Sequence, residues 1–260
     1  MAEVGLYLAG IAIAVLIALA FLIWVRKTEV YEREPWSSVL LAFVLGGAIV
    51  TLAAAAISII FQIPPRDFGD FLPFDATVQG ALVAIIAAPV LEEGAKALAL
   101  FLMRRRLVEV ENGIVYGASV GLGFAMVENM LYFYGAVNAG GAEGLALMAI
   151  ARAFSTTVMH MATGALIGYG IALYLHPSEE GKRKAWWPFL LAAIALHAVF
   201  NSLASVQMFI PDDMTKMFVT IIFGVLVGGI LAWYVFLQLH KRLKQLDLEG
   251  QAQREIKEGQ

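Results

Sequence analysis

The sequence contains no cysteine. Disulfides, thiolate metal sites and cysteine nucleophiles are therefore excluded. Charge is scarce as well. Of the 260 residues 15% are charged and 60% hydrophobic, where a soluble domain has about a quarter charged and about half apolar. An ordinary soluble domain is excluded, and the chain reads as all-α, a polytopic helical membrane protein. A net charge of −3 offers nucleic acid no basic surface, so nucleic acid is not a partner. Three catalytic patterns are missing too. There is no His-Glu-x-x-His for a zinc protease and no Gly-x-Ser-Gly for a membrane serine protease. Gly121-Leu122-Gly123 is followed by Phe124, and no long apolar run contains an aspartate, which excludes an aspartyl dyad. The first apolar run, Gly5 to Val25, has no basic segment before it and is read as a retained helix rather than a cleaved leader.

About 20 apolar residues cross the hydrocarbon core of a bilayer. Seven runs meet this requirement, at about 5–25, 37–62, 77–103, 113–136, 145–175, 186–209 and 216–239. Basic residues alternate between the loops. Arg26, Lys27 and Arg33 follow the first run, Arg104, Arg105 and Arg106 the third, and Lys182, Arg183 and Lys184 the fifth. Lys241, Arg242, Lys244, Arg254 and Lys257 follow the seventh. The other loops hold Arg66 and Lys216 beside Asp67, Asp70, Asp75, Asp212 and Asp213. Positive residues stay in the cytoplasm, so the N-terminus is expected outside and the C-terminus inside. The chain is expected to be one transmembrane bundle over 1–260. Two N-terminal helices occupy 1–75, a motif-bearing four-helix core 76–209, a last helix 210–240 and a cytoplasmic tail 241–260, which after Lys244 is a solvated helix end or disordered. Glycines four apart, at 113, 117 and 121 and at 164 and 168, mark faces where helices approach closely.

Against this background the ionisable residues inside apolar runs need a reason, because each costs about 2.5–3.5 kcal/mol at a bilayer helix centre. They are Glu92, Glu93 and Lys96 in the third run, Glu128 in the fourth, Arg152 and His160 in the fifth, and His197 in the sixth. With a rise of 1.5 Å per residue, Glu93 and His197 lie roughly 15 Å from the basic end of their helices, and Glu128 and His160 roughly 20 Å. One polar layer near the midplane accommodates all of them. Lys96 can pair with Glu92, four residues away, or Glu93, three away. The two adjacent glutamates point about 100° apart, so they cannot share a role. Either can hold a water as general base, with Glu93 preferred. Pro89 removes a backbone donor and frees a carbonyl near Ile85. His197 and Asn201, four apart, share a face; they and His160 can hold the water, bind a metal or stabilise an oxyanion.

Four ordered motifs carry a resemblance. They are Glu92-Glu93-x-x-Lys96, then Gly123-Phe124-Ala125-x-x-Glu128-Asn129-x-x-Tyr132, then Arg152 with His160, then His197-x-x-x-Asn201. The set, covering about residues 85–205, resembles the PrsW family of intramembrane proteases. The wider superfamily includes CAAX prenyl proteases and bacteriocin-processing proteins. Its CAAX branch usually has Glu-Glu-x-x-x-Arg, where this chain has Lys96 one residue earlier. The resemblance implies hydrolysis of a peptide bond in a membrane-associated protein or peptide, of anti-sigma-factor type, by a multi-pass protein of the plasma membrane. It implies catalytic roles for Glu92, Glu93, His160, His197 and Asn201, supported by Lys96, Glu128 and Arg152. It leaves open a divalent metal such as Zn on His160, His197, Glu93 and Glu128, or a glutamate-only mechanism. The same buried Glu and His groups also suit a proton-linked carrier with a midplane site, or a non-catalytic scaffold of the same fold.

Overall fold

The computed structural model describes residues 2–31, 33–62, 76–177 and 181–258. Helices α1 (Ala2–Lys27) and α2 (Trp36–Gln62) open the chain. After them, α3 (Ala76–Leu82) passes through a π-helical segment, Val83–Ala87, into α4 (Ala88–Leu102). A 3-10 turn at Arg104–Arg106 precedes α5 (Val110–Phe154) and α6 (Thr156–Leu175). Then come α7 (Trp187–Ser205), a 3-10 turn at Val206–Phe209, α8 (Asp213–Val219), a second π-helical segment, Thr220–Val227, and α9 (Gly228–Glu258). The described residues contain no strand. Among the described residues, four stretches are long and apolar enough to cross a membrane: Glu3–Lys27, Val110–Leu175, Trp187–Phe209 and Thr220–Ile256. Arg66, Asp67, Asp70 and Asp75 of the acidic loop lie outside the described residues.

The glycine spacing explains the centre of the bundle. A Cβ on Gly121 would collide with the backbone carbonyl of His160, and one on Gly117 with that of Gly164. Only hydrogen at these positions lets α5 and α6 touch backbone to backbone. A Cβ on Gly123 would likewise strike the Phe43 carbonyl, so α2 closes on the opposite side of α5. In an apolar 18-residue part of Val110–Leu175, 72% of the residues are accordingly buried, against 28% in the corresponding part of each of the other three, which places α5 and α6 in the middle. Around them one apolar cluster joins Leu22, Phe43, Leu100, Leu122, Met159 and Phe236 from six helices.

Two chain breaks differ from the expected spans. Helix α5 continues through the expected loop to Phe154, interrupted only by non-helical backbone at Gly140 and at Gly141, whose φ of 58° suits glycine. The expected fifth span is instead split at Ser155 (φ −116°, ψ −79°). Arg152 and His160, expected in one span, therefore sit on two helices.

The basic clusters converge on one end of the bundle. There Arg106 donates to Ser38 Oγ at 2.7 Å, Asn112 and Tyr116 donate to Glu34, and His176 Nε2 donates to the Leu107 carbonyl at 2.8 Å. The last segment is helical through Glu258, solvated on one side and docked on the other. Helix α9 continues, Leu243 is buried, and Asp247 accepts the Val30 and Tyr31 N–H groups at 2.8 and 3.4 Å. Glu29 is buried in the same place, with Oε1 unpartnered.

Candidate active site

Pro89 sets the local geometry of α4. In the π-helical segment the Ala88 N–H reaches back five residues to the Val83 carbonyl. The next bond of that register would run from residue 89 to the Ala84 carbonyl, and proline has no N–H to give. Asn201 Nδ2 supplies it instead, at 2.8 Å from Ala84 O. The freed carbonyl is thus Ala84 rather than Ile85, because the turn before Pro89 is wider than an α-turn. One of the two Nδ2 hydrogens of Asn201 is thus committed to that backbone. Helix α4 then carries Glu92, Glu93 and Lys96 into the bundle.

Glu93 and Lys96 are fully buried, and their charges meet at 2.7 Å. Lys96 uses all three N–H donors, on Glu93 Oε1, on His160 Nδ1 at 2.8 Å and on Thr163 Oγ1 at 3.1 Å. Since Lys96 donates to His160 Nδ1, the neutral ring carries its proton on Nε2. That N–H donates to Glu128 Oε2 at 2.7 Å. Glu93 Oε1 also accepts from His197 Nδ1 at 2.7 Å, which turns His197 Nε2 toward Glu92 Oε2, 3.8 Å away. Glu92 Oε2 is buried and has no hydrogen-bond partner. The rings of His160 and His197 stand edge to face, 5.2 Å between centroids.

A second chain of contacts fixes the far wall. Arg152 pairs with Glu128 at 2.8 Å, donates through Nε to Asn129 Oδ1 at 2.6 Å, and lies over the Tyr132 ring at 3.8 Å. Asn129 passes the connection to Thr157 Oγ1 at 3.0 Å. Arg152 and His160 thus converge on one carboxylate from either side of the Ser155 break.

The structure therefore brings together every ionisable residue singled out in the sequence, on α4, α5, α6 and α7. It divides the two glutamates. Glu92 lines a cavity with Glu128, Arg152 and His197, whereas Glu93 lies fully buried behind, its Oε1 held by both Lys96 and His197 and its Oε2 without a partner. Among the described residues, ligand atoms of Glu92, His160 and His197 lie within 4.8 Å of one another, a set of one carboxylate and two imidazoles. Glu93 and Glu128 are outside that set. Asn129, Thr157 and Thr163 were not singled out as site residues. Asn129 had a signal, since it adjoins Glu128 in its motif. The threonines had none, because hydroxyls are common within apolar helices.

A family described as PrsW family intramembrane metalloprotease matches residues 34–239. The chain belongs to the PrsW family. The matched region contains every group of the site. Curated relatives named Protease PrsW include one from Clostridioides difficile (strain 630), 28% identical over 200 residues, covering 75% of this chain and 79% of the relative. Another, from Geobacillus kaustophilus (strain HTA426), is 29% identical over 74% of this chain and 76% of its own length. A third, from Bacillus subtilis (strain 168), is 28% identical over 74% and 78% respectively. No solved structure matches significantly. Like other PrsW-family chains it is an integral membrane protein, and the layer of buried Glu, His, Lys and Arg is where its chemistry is to be sought.

Proposed function

We propose that the chain is an intramembrane endopeptidase that hydrolyses a peptide bond in a membrane-associated protein, with Glu92 as the carboxylate that faces the substrate. The observation that carries this reading is the division of the glutamates: Glu92 lines the cavity, and Glu93 is locked behind it by Lys96 and His197. Glu92 accepts the proton of the attacking water. Glu93 holds His197 by Nδ1, so that Nε2 faces the water. Lys96 neutralises Glu93 and orients His160. Arg152 holds Glu128 at the opposite wall, ready to polarise the substrate carbonyl and meet its developing negative charge. Asn201 shapes the π-helical segment before Pro89 with one Nδ2 hydrogen and keeps a second N–H for an oxyanion. A midplane carrier is less well supported, since the buried charges are committed to one another.

The donor set fits a divalent metal such as Zn. Glu92 Oε2 is orphaned, His197 Nε2 is free of hydrogen bonds to protein carboxylates closer than 3.8 Å, and His160 lies within reach once released from Lys96 or Glu128. Glu92, His160 and His197 would hold it, Glu92 then serving as a ligand in place of its role as free base, and such an ion would supply Lewis-acid polarisation and a water acidic enough to ionise near neutral pH. The finer topology belongs to the same reading: seven spans with N-terminus outside, C-terminus cytoplasmic, in the plasma membrane. Residues 76–209 form the catalytic core of the bundle, and the substrate is a single-pass protein of the anti-sigma-factor kind. The convergence of the basic clusters supports that orientation.

The test is cleavage of a tagged single-pass substrate by the purified chain in vesicles. Wild type is expected to cleave, and Glu92→Gln, His160→Ala and His197→Ala to fail. Cleavage undiminished in all three would overturn the assignment. Chelator treatment is expected to abolish cleavage and added Zn to restore it; cleavage unchanged by the chelator would remove the metal from the account.

A further inference from the structure

The cavity that begins at Glu92 and His197 is longer than hydrolysis of one bond requires. It encloses about 370 Å³ and runs along α7 past Asn201 and Ala204 to Gln207. Ten residues of helix separate His197 from Gln207, a length of roughly 15 Å. An extended peptide advances about 3.3 Å per residue, so the cavity takes about four residues of it.

Its walls are of two kinds. Polar groups recur along its length: the amides of Asn201 and Gln207 and the hydroxyl of Thr220, which donates to Gln207 Oε1 at 2.6 Å. A segment drawn out of a helix loses its internal hydrogen bonds, and within hydrocarbon it is tolerated only where such groups meet its backbone. The remaining wall is cut back. Ala88 comes from α4, Ala204 from α7 and Gly224 from the second π-helical segment. A Cβ on Gly224 would already touch Ala204 Cα at 3.5 Å. Ala204 is seven residues beyond His197, about 10 Å along the helix, or about three extended residues from the reacting groups.

We propose that this cavity is the substrate cleft, that it binds an unwound stretch of about four residues, and that Ala204 and Gly224 restrict the substrate position about three residues from the scissile bond to a small side chain. The inference rests on the protease reading for the identity of the occupant. It commits to that occupant because the cleft is continuous with Glu92 and His197.

Two measurements test it. In the first, wild-type chain in vesicles cleaves substrates whose residues two to four from the scissile bond, on each side, are changed singly from Ala to Leu to Trp. One position is expected to lose about tenfold or more in kcat/KM on enlargement, and Ala204→Gly is expected to recover part of that loss. Equal cleavage of all sizes would overturn the inference while leaving the protease reading intact. The second measurement needs no turnover. Because the chain has no cysteine, Ala204→Cys in a Glu92→Gln background provides one thiol in the cleft. A substrate with a single cysteine moved along its sequence is expected to form a disulfide with it over a window of one or two positions. Crosslinking no greater than that of Leu191→Cys, which lies on the exposed face of α7, would overturn the inference even if cleavage were never observed.

Discussion

Glu93 and Lys96 show how residue-level chemistry divides the site into groups that react and groups that hold. Breaking a buried ion pair by removing one partner leaves an uncompensated charge and costs about 3–5 kcal/mol. Lys96→Met is therefore expected to lower the unfolding temperature in detergent sharply, and Lys96→Met with Glu93→Gln to recover most of the stability without the activity. Independent, additive losses in a double-mutant cycle would contradict the pairing. Glu92→Gln removes only the 3.8 Å approach to His197 and is expected to leave stability nearly unchanged. The sequence displayed both glutamates but not their division, because adjacent residues differ only by rotation about the helix axis. That rotation is set by the π-helical segment before Pro89, a register shift that apolar Val83–Ala87 does not announce. That the ionisable groups meet was legible, by contrast: Glu128, His160 and His197 stood out because charge and imidazole are rare inside apolar runs.

The elements hold these side chains in place by close approach and by local breaks. Gly121→Leu is expected to force α6 away from α5 at His160 and to abolish activity while the chain still inserts, a result that a His160-to-substrate distance change in crosslinking would register. The spacing of the glycines made this contact readable in the sequence. The break at Ser155 was not readable, since the run from 145 to 175 is apolar throughout apart from Arg152 and His160. Nor was the docking of α9 visible, because its mixed Gln, Glu and Lys composition resembles a solvated tail. That docking responds to pH. Burial pushes the Glu29 carboxyl up to about 8, aided by the nearby Glu34, Asp247 and Glu111 charges and opposed by the Glu34 N–H bonded to it. A group whose value rises on docking stabilises the docked form fully below its free value of 4.5 and loses that effect as pH rises through about 8. Amide exchange of Val30 and Tyr31 is therefore expected to show α9 loosening between these limits beyond the ordinary base catalysis of exchange. Glu29→Gln is expected to flatten the response; an unchanged response would show that Glu29 is not its source.

At the scale of the whole molecule, the fold is a bundle whose two central helices meet at glycines and whose basic loops gather at one end. The alternation of lysine and arginine predicted that gathering, and the structure unites Arg106, Asn112, His176 and Asp247 with the segment or turns beside them. In intact cells, a membrane-impermeant thiol reagent is expected to label Glu143→Cys and to spare Arg105→Cys; the reverse pattern would invert the topology. The central claim is that this bundle is a protease whose reacting carboxylate is Glu92. Its most direct test is the single-turnover rate at which wild type and Glu92→Gln, matched in thermal stability, cleave a single-pass substrate in vesicles. The account predicts a loss of about a thousandfold, the scale of removing a positioned general base; a rate within a few-fold of wild type would contradict it.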